Sequence, residues 1–178
     1  MRETAGRAGE SLSFYPTQKS VCLSEVPLDL LDRLERRRGS WGLGFTKASF
    51  VAEGGAPLWY VEIDSQIAHA LARIQQSLEN AEQRRDWHRI TPFIDKVGAF
   101  PNGTVYQFEW EREWRVPRRL EFSPGCPAFL FAPASEHAQL VRELTTSGID
   151  ATIYGIPPVL DPRWNGTQLQ AALTKHDL

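Results

Sequence analysis

Cysteine is scarce: the 178-residue chain has Cys22 and Cys126 and no others. They are far apart and belong to no Cys-x-x-Cys or Cys/His cluster, which excludes a disulfide-stapled scaffold and a zinc ribbon and predicts two reduced thiols in a cytoplasmic protein. Long apolar runs are missing too. No stretch reaches the roughly 18 residues that a membrane helix needs, so no membrane is expected. The first thirteen residues lack the apolar segment of a signal peptide. Charge of one sign is also lacking: 20 basic against 22 acidic side chains leave a net −2. That excludes a generally basic nucleic-acid binder and an acidic disordered tail. Residues 39–44 contain two glycine spacers but neither of the common phosphate-loop spacings. His69, His88, His137 and His176 are scattered and form no catalytic or metal pattern.

What is present is a folding composition: 42% hydrophobic and 24% charged residues, with six Trp and nine Phe. A flexible arm is expected over 1–19 and a single domain over 20–178. Short apolar runs predict strands at 20–24, 41–46, 58–63, 128–132 and 149–154. Helices are expected over 28–38, stopped by Gly39, around 48–53, from Ser135 or Glu136 to Gly148, and over 166–176. The clearest helical stripe is Ile67, Leu71, Ile74, Leu78 and Ala81, capped by Asp64 or Ser65 and running to about Arg85. The alternation of helix and strand predicts an α+β domain with a mostly antiparallel central sheet flanked by helices.

The most suspicious segment runs from 104 to 116 as one long strand. Alternation places Tyr106, Phe108, Trp110, Trp114 and Val116 on one face, with Arg112 the exception, and Gln107, Glu109, Glu111, Glu113 and Arg115 on the other. Neighbouring carboxylates on an extended strand sit about 6.5–7 Å apart. Such a row is either a solvated outer face or the wall of a cleft, where it can supply a general base or steady a cationic transition state. A metal site is not expected, because no His or Asp lies at a supporting spacing. Arg115 can equally be a structural partner for a neighbouring carboxylate.

Several stretches together resemble the AbiGi-type proteins of bacterial abortive phage infection and their uncharacterised relatives. Val21-Cys22-Leu23-Ser24-Glu25-Val26-Pro27-Leu28 is similar to a family segment of Cys-Phe, Ser or Thr, an acid, Ile or Val, and Pro-Leu. Trp41-Gly42-Leu43-Gly44-Phe45-Thr46-Lys47 is similar to its Tyr-Gly segment, with Trp in place of Tyr. The Gly54–Val61 stretch is similar to its Gly-Gly-x-Pro strand entry, and Glu111-Arg112-Glu113-Trp114-Arg115 to its E-x-E-W-R. The resemblance implies a role in phage defence or a toxin–antitoxin pair, with a partner protein. A remoter similarity is to ADP-ribosyltransferases, carried by Phe45-Thr46 and by the Glu111-Arg112-Glu113 pair of acids. That likeness implies NAD, with Glu113 steadying an oxocarbenium-like centre and Glu111 orienting the acceptor. The expected catalytic residues are then Glu111, Glu113 and Arg115, and the expected substrate-binding residues Ser24, Thr46 and Trp114. A non-catalytic module that binds a partner through its aromatic surface is the further alternative.

Overall fold

A computed structural model describes residues 19–148 and 155–174. The expected arm, except Lys19, and the expected strand at 149–154 lie outside the described residues. The chain is α+β, and among the described residues four of six strand pairings are antiparallel. The strands form three small sheets of three strands each, in place of one central sheet. The described residues fall into two compact units, 19–25 with 53–120, and 26–52 with 121–148 and 155–174.

In the first unit, β7 (Glu113–Pro117) lies between β1 (Ser20–Ser24) and β3 (Ala56–Pro57), antiparallel to both. The register sets Ser24 opposite Glu113 and Cys22 opposite Arg115. A second sheet pairs β4 (Trp59–Glu62) with β5 (Ile94–Ala99) in parallel, and β5 with β6 (Val105–Tyr106) in antiparallel fashion. A parallel pair needs a long crossover, and two helices supply it. These are α3 (Gln66–Gln76) and α4 (Ala81–Ile90), not the one helix that the apolar stripe predicts. The break is written in Asn80. Its side chain accepts the N–H groups of Glu82 and Gln83 while Gln83 reaches back to the Asn80 N–H, a capping box that starts a new helix. The buried face of α3 is also rotated from expectation: Ala68 and Leu71 pack with Val61, Trp87 and Ile94, and Ile67 and Ile74 are exposed. Ser65 caps α3, accepting the Ala68 N–H.

In the second unit β8 (Phe129–Phe131) is the central strand, antiparallel to β2 (Gly42–Gly44) and parallel to β9 (Val159–Leu160). Among its described residues are the helices α1 (Leu31–Arg38), α2 (Lys47–Ala52), α5 (His137–Thr146) and α6 (Gly166–Thr174). Leu31, Leu160 and Leu169 form its buried centre, flanked by Phe129, Phe131 and Trp164. Asp161 is buried beside β9. Burial raises the pKa of its carboxyl, but hydrogen bonds from Arg163 and from the Ala134 N–H outweigh this and hold it below the ordinary value.

Gly44 is where the sequence leaves least freedom in this unit. A Cβ built on it falls inside the ring of Phe129, its register partner across the sheet. An aromatic ring packed against a core cannot swing aside cheaply. Gly44→Ala is therefore expected to cost about 1–3 kcal/mol in urea denaturation. An unchanged midpoint would show that Phe129 has room to move.

Candidate functional site

The 104–116 segment is not one strand. It is β6, then a 3-10 turn at Glu109–Glu111, then β7. The chain turns at Arg112, whose backbone is left-handed at φ 43 and ψ 56. A 3-10 turn followed by a left-handed residue interrupts the period-2 alternation that an extended chain would have. The three acids and four aromatics of residues 106–116 therefore do not sort into two faces. Glu111, expected on an outer acidic row, is buried with only 3% of its surface exposed, and Ser24 Oγ donates to its Oε2 at 3.3 Å. Tyr106, expected to pack inward, is exposed and meets Phe100 edge-to-face and Phe108 at a tilt.

The turn is held at both ends by one phenol. Tyr60 Oη on β4 donates to the Phe108 carbonyl at 3.3 Å and accepts the Glu113 N–H at 3.1 Å. Burial, then the Glu113 and Glu111 carboxylates, raise its pKa, which keeps it a phenol able to do both. Just after β1, the Glu25 N–H donates to the Arg112 carbonyl at 3.3 Å.

Arg115 lies behind the turn. Its Nε donates to Glu113 Oε1 and its Nη2 to Asp95 Oδ2, both at 2.6 Å, and its Nη1 to the Pro92 carbonyl at 3.1 Å. Desolvation opposes its charge, but Asp95 and Glu113 outweigh that and hold the guanidinium protonated above the ordinary arginine range. A guanidinium so engaged acts as the structural partner of neighbouring carboxylates, the alternative reading of Arg115 in the sequence.

In front of the turn is an open depression of about 380 Å³, lined by Glu25, Pro57, Leu58, Tyr60, Glu109, Arg112, Glu113 and Trp114. Of the six expected site residues, Glu113 and Trp114 line it. Trp114 Nε1 donates to Glu25 Oε2 at 2.8 Å. Glu111 and Ser24 pair with each other nearby, and Arg115 pins Glu113 from behind. Thr46 belongs to the second unit, where its Oγ1 accepts the Ser49 N–H and caps α2, a local structural role. Among the described residues no group of three or more His, Cys, Asp or Glu side chains is placed to hold a metal ion.

Sequence reasoning missed Tyr60, Glu25 and Arg112 as site residues and had Glu109 only as a member of the acidic row. Arg112 did carry a signal: a charged residue on an otherwise aromatic face is a break in the alternation, and the break is the turn. Asp95 carried none, because nothing in its own segment marks it as the partner of an arginine twenty residues on.

Cys22 adds a measurable consequence. The residue as a whole is exposed, yet protein atoms crowd its sulfur, and this desolvation, with the hydrogen bond and charge of Glu113, pushes the thiol from 9.0 up to about 11. A raised folded-state pKa stabilises the fold fully below pH 9 and ceases to do so as pH rises through 11. With Cys126→Ser as background, alkylation of Cys22 by iodoacetamide is expected to keep accelerating with pH up to about 11. A rate that levels off near pH 9 would show an ordinary, unperturbed thiol.

Among the described residues no helix is long and apolar enough to cross a membrane. No protein-family model matches this chain, and no curated protein and no solved structure matches it.

Proposed function

We propose that this chain is a cytoplasmic phage-defence protein of the AbiGi kind, working with a partner protein, in which the E-x-E-W-R segment scaffolds a ligand-binding depression. One observation carries the reading. Of the four family-like stretches, three meet at a single strand: β1 holds the cysteine segment, β3 the glycine–proline entry, and β7 lies between them with the E-x-E-W-R residues. Stretches far apart in a chain that share one hydrogen-bonded neighbourhood behave as one unit, which supports treating the resemblance as more than separate short matches. Cells expressing the chain with its neighbouring genes are expected to plate fewer phage than cells in which Arg115→Met removes the guanidinium that pins Glu113. Equal plating by both strains and by an empty vector, across a panel of phages, would overturn the reading.

A second reading is an enzyme of the ADP-ribosyltransferase kind that uses NAD, with Glu113 as catalytic glutamate. It is favoured by Glu113 lining the depression beside Tyr60 and Trp114, which offer aromatic surface to a planar ring. Arg115 Nε donates to Glu113 Oε1 and fixes the orientation of that carboxyl at the wall of the depression. Calorimetry with NAD is expected to show binding by the wild-type protein, and Glu113→Gln to abolish turnover while binding persists. No heat from the wild-type protein removes this reading and leaves the first one standing.

A further inference from the structure

The charges that line the depression are not equally committed. Glu113 is answered by Arg115, and Glu25 receives the Trp114 indole N–H. Glu109 and Arg112 are different. They line the same depression, three residues apart in one turn, and among the described residues neither makes an ion pair, with the other or with anything else. Opposite charges at that spacing on a regular helix close on each other readily. Here the backbone prevents regularity. Arg112 is left-handed, a conformation that few non-glycine residues adopt, and the turn around it is fixed by the Tyr60 phenol and the Glu25 N–H. An unlike pair of charges is thus kept open on a rigid turn, with Pro57, Leu58, Tyr60 and Trp114 providing apolar wall.

Such a site discriminates by charge. A simple cation meets Arg112, and a simple anion meets Glu25, Glu109 and Glu113. A ligand that carries both signs satisfies both: its carboxylate takes the fork of the guanidinium and its ammonium takes Glu109, with Glu25 adjacent. The volume of about 380 Å³ lies within the range of small-molecule sites. The aromatic wall suits a flat apolar group. We propose that this depression binds a free α-amino acid, or a zwitterion of the same design, bearing a flat apolar side chain. The inference is independent of phage defence and involves no bond making.

The test is titration calorimetry of the full chain with three probes that share one ring: L-phenylalanine, phenethylamine, which has only the ammonium, and 3-phenylpropionate, which has only the carboxylate. Phenylalanine is expected to bind, and each one-charge analogue to bind about tenfold or more weakly, the loss of one charge-assisted contact. Arg112→Gly tolerates the left-handed backbone while removing the guanidinium, so it is expected to erase the preference for phenylalanine over phenethylamine. Glu109→Gln is expected to erase the preference over 3-phenylpropionate. No heat from phenylalanine overturns the proposal. Equal binding of phenylalanine and phenethylamine also overturns it, in favour of a plain cation site. So do variants that leave both preferences intact. The wild-type probe series is decisive by itself if either variant fails to fold.

Discussion

The guanidinium of Arg115 is the group around which the first unit is arranged. It sits on the middle strand of one sheet and reaches Asp95 on a strand of another, the Pro92 carbonyl before that strand, and Glu113 on its own strand. Its side chain is only 12% exposed, so most of its hydration is gone. Removing one partner from a fully buried pair typically costs about 3–5 kcal/mol; here the Asp95 side chain is 45% exposed and keeps part of its hydration, so the cost is smaller. Forming it gains far less than that relative to an apolar replacement. The group is better regarded as fixing which way the two sheets of this unit are joined than as a source of net stability. Glu113, held on one side by Arg115 and at its N–H by Tyr60, has little freedom left, and the turn before it inherits that rigidity.

Much of the secondary structure was legible because local chemistry decided it. Gly39 stops α1, Ser65 caps α3, and the short apolar runs pair as strands. Errors arose where a local signal was overlooked or a distant one dominated. The Asn80 capping box is fully local, yet the apolar stripe running past it suggested continuity. The stripe itself misplaced the buried face of α3, because Ile67 and Ile74 are apolar but exposed while a small residue, Ala68, makes the contact with the core. Apolar identity and burial are related in only one direction.

The acidic segment shows the limit most clearly. Period-2 alternation is a sound rule for an extended chain, and Tyr106 to Val116 obeys it except at Arg112. Taking that residue as a blemish gave a row of exposed carboxylates. Taking it as a turn gives a buried Glu111 bonded to Ser24, a Glu113 bonded to Arg115, and a depression lined by Glu109, Arg112 and Glu113. Candidate residues were thus found by type, while their roles depended on one backbone angle that no composition or spacing specifies. Contacts such as Arg115 to Asp95 are non-local, and a single sequence contains nothing that pairs them.

Tyr60 carries an implication for how this chain can vary. Its one oxygen must give a hydrogen bond to Phe108 and receive one from Glu113, at the full reach of a phenol from β4. Phenylalanine keeps the shape and supplies neither bond. Serine and threonine can give and receive but are too short. Histidine and tryptophan distribute donor and acceptor differently around a ring. The position is only half-buried, where replacement is ordinarily easy, yet the set of side chains that can fill it is as narrow as at the centre of a core. The stringency is set by a bidirectional bond at a fixed distance, and accessibility alone gives no sign of it.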